Sequence, residues 1–288
     1  MHLPKTTLTV YEKILRRVNH LYAYLFGYSF FKPLNSFLVS IGHRGLGVNN
    51  NLDYLEGIKI LIKKLAKKID DKNNLFLDIG AHQGTITKIV LDNTQNLNVI
   101  CYEPHSEHYK KLSQSLNKEK RCKIFQYAVG SKIENKILFD WKKHGTGFAS
   151  FYKDSIKQFL LPTYGKISLD YENSVKVITL DSINYDKKIE FIKIDVEGNE
   201  FEVLKGARDS IKNHEPKYIL LEFGEPNVYS RVFLKDLINL LDNYSSYRVM
   251  PGGKMLELNN PYNVVTHEFF CAQNIIFVKN NKEKKQIS

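Results

Sequence analysis

Three charged residues stand in an otherwise apolar segment, FIKIDVEGNEFEVLKGA, at residues 191–207. The first half of this segment alternates apolar side chains as a β-strand does, yet it carries Lys193, Asp195 and Glu197. A carboxylate in such a place can take a proton or anchor a substrate, and a neighbouring lysine can balance its charge. Asp195 is therefore the first candidate for a base or substrate anchor, with Glu197 and Lys193 as candidates beside it.

A glycine turn, DIGAHQG (78–84), lies between a short apolar run and a helical pattern. Gly80 and Gly84 are four residues apart, so the turn lacks the G-x-G-x-x-G spacing of dinucleotide-binding loops. Asp78 would also repel a pyrophosphate placed at the following helix N-terminus. A cationic, phosphate-free nucleoside such as S-adenosylmethionine suits this turn better.

Glu103 ends the next apolar segment, NVICYE, 25 residues after Asp78. A carboxylate at the end of a second strand can accept hydrogen bonds from both ribose hydroxyls of a nucleoside. The alternative is that Glu103 caps a helix that begins near Pro104. Both interpretations stay open from the residues alone.

Strand-like and helix-like segments alternate from residue 75 onward. This order predicts an α/β fold with a doubly wound, mostly parallel sheet, in which ligands bind beyond the carboxyl ends of the strands. Asp78, Glu103, Pro104, Ala128 and Asp195 fall at such ends. The predicted strands are 75–80, 98–103, 123–129, 136–141, 174–180, 191–195, 218–223, 247–250 and 274–278.

The composition predicts a folded chain, because 43% of the 288 residues are hydrophobic and 12% are aromatic. We expect a domain over residues 75–280, an N-terminal helical extension over 1–74 and a flexible basic tail over 281–288. Within the extension, residues 9–26 have the apolar spacing of an amphipathic helix. We expect this helix to pack on the domain or on a partner chain, and the alternative is an interfacial membrane helix.

The net charge of +11 raises nucleic acid as a partner, but only seven of the 42 basic residues are Arg and they are scattered. We therefore expect no specific nucleic-acid binding. The three cysteines form no C-x-x-C pair, and the N-terminus lacks the pattern of a secretory signal. We expect a cytoplasmic protein, with peripheral contact at the inner membrane face as the alternative.

Six segments of the chain resemble the FkbM family of S-adenosylmethionine-dependent methyltransferases, and the K-I-D-V-E-G-x-E block is the most specific of them. The resemblance implies a class I methyltransferase fold, with a seven-stranded sheet whose last strand is antiparallel. It also implies methyl transfer to an oxygen, usually of a sugar or a secondary metabolite. The segments are FLDIGAHQGTIT (76–87), VICYEPHSEHYKKL (99–112), FQYAVGSKI (125–133), VITLDSI (177–183), FIKIDVEGNEFEVLKGA (191–207) and YILLEFGE (218–225).

Carried over to this sequence, the resemblance implies that a glycine loop binds the cofactor and that Glu103 binds its ribose. The roles of His82 and Gln83 stay open, because these residues depart from the family's usual pattern. The expected cofactor-binding residues are Asp78, Gly80, Ala81, Gly84, Glu103, Pro104 and Ala128, and the expected catalytic residues are Asp195, Glu197 and Lys193.

The sequence thus favours an O-methyltransferase that acts on a sugar hydroxyl of a surface glycan or glycan precursor. The alternatives are methylation of another small molecule or of nucleic acid, and a non-catalytic relative that binds a partner. Asp195, Glu222 and His267 offer hard ligands to Mg²⁺, but no spacing motif demands a metal, and none is expected. His105 and His108, three residues apart on a helix, are expected to be exposed.

Overall fold

The computed structural model describes residues 9–48, 54–141, 145–157, 168–258 and 262–280. The chain divides into two compact units, Met1–Gly45 and Leu46–Ser288. The predicted extension, residues 1–74, is longer than the first of these units. The helix Tyr54–Lys68 falls within the predicted extension but packs in the larger unit against the helix Thr85–Asp92. The tail at 281–288 lies outside the described residues.

The N-terminal unit consists of two helices, α1 (Val10–Phe26) and α2 (Lys32–Gly45), joined through a 3-10 turn, Ser29–Phe31. Helix α1 begins with a capping box, in which the Thr9 hydroxyl accepts the backbone N–H of Glu12 and the Glu12 carboxylate accepts that of Thr9. The helix predicted over residues 9–26 is therefore confirmed.

The larger unit contains the remaining helices and all the strands of the described residues. Its helices are α3 (Tyr54–Lys68), α4 (Thr85–Asp92), α5 (Ser106–Leu116), α6 (Glu200–Lys205), α7 (Arg208–His214), α8 (Pro226–Ser230), α9 (Leu234–Leu240) and α10 (Val264–His267), and residues 153–157 are helical as well. Its strands are β1 (Asn74–Ile79), β2 (Asn98–Tyr102), β3 (Cys122–Phe125), β4 (Ala128–Val129), β5 (Glu134–Asp140), β6 (Tyr171–Ile178), β7 (Lys188–Ile194), β8 (Tyr218–Phe223), β9 (Tyr244–Met250), β10 (Lys254–Glu257) and β11 (Gln273–Lys279).

The main sheet has the strand order β10-β9-β11-β8-β7-β1-β2-β3. Strand β1 pairs in parallel with both β2 and β7, whereas β11 runs antiparallel to β8 and β9. The doubly wound α/β fold with an antiparallel last strand is therefore confirmed. The sheet has eight strands among the described residues rather than seven, because β10 pairs antiparallel with β9 in a segment for which the sequence predicts no strand.

The central strands are mostly apolar because helices cover both faces of the sheet. Successive residues of β1 enter different layers: Phe76 packs with Phe191 on one face, with ring centroids 5.0 Å apart, and Leu77 packs with Ile192 on the other. This burial holds β1 and β7 side by side. Their carboxyl ends, where the charged residues lie, are thus brought together.

A second, three-stranded sheet has the order β4-β6-β5. The predicted third strand, 123–129, is wrong in its second half, because β3 ends at Phe125 and Ala128–Val129 pairs with β6 instead. Ala128 and Val129 thereby leave the main sheet and lie at the edge of the candidate site.

The helices of the described residues include none whose length and apolar character would allow it to cross a membrane.

Candidate active site

A cavity of about 300 Å³ opens at the carboxyl ends of β1, β2 and β7. The strand order reverses between β1 and β7, and this switch point is where open α/β sheets bind ligands. The residues that line the cavity include Gly80, Ala81, His82, Glu103, Pro104, His108, Ala128, Lys193, Asp195, Glu197, Asn199 and Glu222.

The turn after β1 brings its backbone against the end of β7. Gly80 and Ala81 donate their N–H groups to the carbonyl oxygen of Tyr102, at 2.9 and 3.1 Å, and Gly80 has a φ of 74°. A Cβ atom on Gly80 would lie 1.8 Å from the carbonyl oxygen of Asp195. Only glycine therefore permits this approach.

Glu103 is 5% exposed and accepts two backbone hydrogen bonds, from the N–H of His82 at 2.7 Å and from that of His105 at 2.9 Å. The contact with His105, the N-cap residue of α5, bears out the capping interpretation. A carboxylate has about four acceptor positions, so the two contacts leave capacity for hydroxyl donors in the cavity. The ribose contact stays a prediction.

Lys193 is buried between two carboxylates. Its Nζ lies 3.2 Å from Oδ1 of Asp78 and 3.3 Å from Oδ2 of Asp195, and it donates to the carbonyl oxygen of Gly80 at 2.9 Å. Burial opposes the lysine charge, but the carboxylates of Asp195 and Asp78 outweigh it and raise the pKa of Lys193. The lysine thus ties the end of β7 to the turn after β1.

Two residues of the expected cofactor loop do not line the cavity. Asp78 is fully buried, and its Oδ2 accepts a 2.6 Å hydrogen bond from the Thr87 hydroxyl, so it lies beneath the turn. Gly84 has a φ of 82°, and a Cβ there would lie 2.5 Å from Cδ1 of Leu112, in the packed layer. Both residues therefore support the turn on its buried side and do not face the cavity.

Asp195, Glu197 and Glu222 form a carboxylate cluster in the cavity, with one oxygen from each within 4.8 Å of the others. Burial opposes the charge of Asp195, but Lys193 and a hydrogen bond with Glu222 outweigh it and lower the pKa of Asp195. Burial, with the charges of Asp195 and Glu200, raises the pKa of Glu197. The two neighbouring carboxyl groups therefore differ in how readily they take up a proton, and Glu197 takes one up more readily than Asp195.

The turn that carries Glu197 is held by the buried carboxylate of Glu200. Oε1 of Glu200 accepts the N–H groups of Val196 at 3.2 Å and of Gly198 at 3.1 Å, and Oε2 accepts the side-chain amide of Asn227 at 3.2 Å. Burial raises the pKa of Glu200 to about 7. Glu197 itself has a φ of 52°, a conformation that is uncommon for a residue other than glycine and that this support maintains.

His267, which the sequence analysis grouped with Asp195 and Glu222, is not part of the cluster. Its Nδ1 lies 2.7 Å from the backbone oxygen of Asn263, and Glu197 takes its place beside the other two carboxylates. The three oxygens are of the kind that Mg²⁺ prefers.

The expectation that His105 and His108 are exposed is wrong: they are 0% and 2% exposed. Their rings stack with centroids 4.4 Å apart, and the His82 ring meets His108 edge-on at 4.0 Å. Gly145 packs against His108, since a Cβ at Gly145 would lie 2.0 Å from Nε2 of His108, and the Tyr171 ring stacks on His105 with centroids 4.0 Å apart. Helix spacing alone could not reveal these contacts with distant segments.

His82 is the site residue whose function the sequence left open. It has a φ of 51° and lines the cavity, and its Nε2 has no hydrogen-bond partner among the described residues. Burial, followed by the influence of His108, lowers the pKa of His82, so its ring is neutral near pH 7. In the sequence, only its position directly after Gly80 and Ala81 indicated that His82 could belong to the site.

The family model described as "Methyltransferase FkbM domain" matches residues 78–249, which is more than half of the chain. The chain belongs to the FkbM methyltransferase family. It is an S-adenosylmethionine-dependent methyltransferase with a class I fold. A search of the curated proteins gave no match.

Solved methyltransferases resemble the chain at low identity. The O-methyltransferase from Bacillus cereus in complex with SAH is 14% identical, with a TM-score of 0.40 over 77% of this chain and 80% of its own. A SAM-dependent methyltransferase from Aquifex aeolicus is 12% identical, with a TM-score of 0.40 over 80% and 96%. The precorrin-6y C5,15-methyltransferase from Geobacter metallireducens is 10% identical, with a TM-score of 0.39 over 76% and 86%.

Most of the residues named from the sequence meet in the cavity of this FkbM methyltransferase, although their roles stay predictions. Asp78 and Gly84 lie behind it. Those that line it are Gly80, Ala81, Glu103, Pro104, Ala128, Lys193, Asp195 and Glu197.

We predict that Gly80→Ala destabilises the chain more than Gly252→Ala does. Both glycines have nearly the same φ, 74° and 71°, so both variants bear the cost of about 1–2 kcal/mol for a left-handed alanine. At Gly252 a Cβ meets no atom within 4 Å, whereas at Gly80 it meets the carbonyl oxygen of Asp195. The clash should add about 1–3 kcal/mol.

Denaturant unfolding of the two variants measures this difference directly. Equal losses of stability would show that the turn after β1 does not approach the end of β7 as closely as the structure has it.

Proposed function

We propose that this FkbM methyltransferase transfers the methyl group of S-adenosylmethionine to a hydroxyl oxygen of a sugar, in a surface glycan or a glycan precursor. The observation that carries the proposal is the Asp195 side chain, which is 38% exposed in the cavity beside the Gly80 turn. With Glu197 and Glu222 it offers a group of acceptors to neighbouring hydroxyls. A polyhydroxylated acceptor has several hydroxyl groups that could donate hydrogen bonds to these carboxyl groups.

The cavity residues fit the cofactor. The Gly80 turn lines the cavity, and the Glu103 carboxylate has spare acceptor positions for two ribose hydroxyls. Pro104 and Ala128 supply small apolar surface on the same wall. When bound, the cofactor supplies an electrophilic methyl group on a sulfonium centre.

Asp195 is proposed as the base. A sugar hydroxyl is barely acidic, so a group in the site must take its proton as the new carbon–oxygen bond forms. The low pKa of Asp195 keeps it ionised and able to do this. Lys193 has its donors engaged by Asp78, Asp195 and Gly80, so it orients the base rather than touching the acceptor.

Glu197 and His82 complete the proposed acceptor wall. The raised pKa of Glu197 leaves it a proton to donate to an acceptor oxygen. The neutral ring of His82 is the second candidate for the base, since its Nε2 lacks a partner among the described residues. Lys193 already supplies the positive charge beside Asp195, and we therefore expect turnover to be independent of Mg²⁺.

A nucleic-acid acceptor fits this wall poorly. Asp195, Glu197 and Glu222 bring three carboxyl groups to the place where the acceptor must lie, and a phosphate backbone would be repelled there. The net charge of +11 is the sum over the whole chain and does not describe this wall of the cavity.

The proposed reaction is tested by incubating the purified chain with methyl-tritiated S-adenosylmethionine and separate acceptors. The set contains free monosaccharides, nucleotide sugars, total tRNA and a catechol. We expect label in a sugar, recovered as an O-methyl ether by mass spectrometry, and no change of rate on adding EDTA. Label only in tRNA or in the catechol would contradict the sugar proposal, and absence of cofactor binding would indicate a non-catalytic relative.

Asp195→Asn tests the base, with Asp78→Asn as its matched control. We predict that Asp195→Asn lowers turnover of the best sugar acceptor by about 10² to 10⁴, the usual span for one general base. Its thermal midpoint should stay near that of the wild type, because Lys193 keeps Asp78 and the Gly80 carbonyl.

Asp78→Asn should instead lower stability. It lies outside the cavity, so it should cost about 1–3 kcal/mol of unfolding free energy through the loss of a buried charged partner. Normal turnover by Asp195→Asn would exclude Asp195 as the base and direct attention to His82.

A further inference from the structure

Helix α1 presents an apolar face that the N-terminal unit does not bury. Val10, Ile14, Val18, Leu21 and Leu25 recur at helical spacing along this face and are exposed at 74, 57, 57, 58 and 47%. Helices α1 and α2 lie wholly within the described residues, and neither has a buried side chain. Contiguous exposed apolar surface of this extent marks an interaction site.

The apolar surface continues through the turn into α2. Tyr28, Phe30, Phe37, Leu38 and Ile41 are exposed at 61, 86, 61, 45 and 51%. The two helices are connected by Asn35, which accepts a 2.5 Å hydrogen bond from the Tyr22 hydroxyl and donates to the carbonyl oxygen of Phe26 at 2.9 Å. The exposed residues therefore belong to a structured helical pair.

The other face of α1 is basic. Lys13, Arg16, Arg17 and His20 recur at spacings of three and four residues, so they share one side of the helix. Across residues 9–45 the sequence has five Lys and Arg and a single acidic residue, Glu12. The unit thus combines an uncovered apolar face with a positively charged one.

We propose that the N-terminal unit docks on an anionic lipid surface, with the apolar face of α1 in the headgroup and acyl boundary and the basic face toward the lipid phosphates. A strongly amphipathic helix with Lys and Arg on its polar face has the composition of an interfacial helix. The exposed tyrosines Tyr11, Tyr22, Tyr24 and Tyr28 suit the same depth, because their rings are apolar and their hydroxyls polar.

Charge complementarity favours lipid over a second copy of the chain. Anionic headgroups attract Arg16 and Arg17, whereas two copies of the same basic unit repel each other. The absence of a membrane-crossing helix among the described residues is compatible with a contact that stays in the interface. The inference does not depend on the methyl acceptor.

Co-sedimentation of the full chain with vesicles tests the proposal. We expect the chain to bind vesicles of phosphatidylcholine with phosphatidylglycerol, to bind phosphatidylcholine alone weakly, and to be released by salt. Replacing Arg16 and Arg17 by Gln should weaken binding roughly 10- to 30-fold, at about 1 kcal/mol for each charge near an anionic surface.

Matched control variants separate the docking face from general properties of the chain. Lys110→Gln with Lys111→Gln removes the same charge from exposed positions of α5 and should leave binding unchanged. Ile14→Ser with Val18→Ser should weaken binding at least as much as the arginine variant. Val264→Ser with Val265→Ser, which changes side chains exposed at 66 and 76% in the other unit, should not.

Three results would overturn the proposal. The first is failure of the wild-type chain to bind the anionic vesicles. The second is equal loss of binding in the control variants, which would show that binding depends on net charge or on nonspecific hydrophobic adsorption and not on α1. The third is a dimer in light scattering that Ile14→Ser with Val18→Ser dissociates, since a second copy would then be what covers the face.

Discussion

The ammonium group of Lys193 lies between the carboxylates of Asp78 and Asp195 and donates to the carbonyl oxygen of Gly80. These contacts join the carboxyl ends of β1 and β7, the two strands at which the sheet reverses its order. Burying such charges has a large desolvation cost, so the network does not account for stability. We interpret it as the device that fixes one geometry for the glycine turn and for the exposed carboxylate of Asp195.

Several parts of this arrangement could be predicted because they are local in sequence. The charges of Lys193, Asp195 and Glu197 interrupt an apolar strand, and the Gly80 turn follows another, so strand ends and loop chemistry could both be inferred. Side chains alternate along a strand, so Lys193 and Asp195 are expected on one side of it. The 3.3 Å distance between Lys193 Nζ and Asp195 Oδ2 agrees with this expectation.

Other parts depend on contacts between distant segments, and no local pattern carries them. His105 and His108 have helix spacing that suits an exposed face, but Tyr171 stacks on His105 and Gly145 packs against His108. Ala128 continues an apolar run after β3, yet it pairs with β6 in the second sheet. Helical periodicity likewise predicted α1, whereas the exposure of its apolar face emerges only from the structure. The cavity wall is likewise built jointly by segments at β1, β4, β7 and β8.

Calorimetric titration of S-adenosylhomocysteine into the wild-type chain and into Lys193→Gln tests the central claim that the buried lysine shapes the cofactor cavity. Gln keeps an N–H donor for the Gly80 carbonyl. It removes the positive charge that lies between the carboxylates of Asp78 and Asp195 and pairs with both. The account predicts a single site in the wild type and an affinity roughly tenfold or more lower in the variant, measured below its melting temperature. Absence of binding to the wild type, or equal affinity in the two proteins, would contradict it.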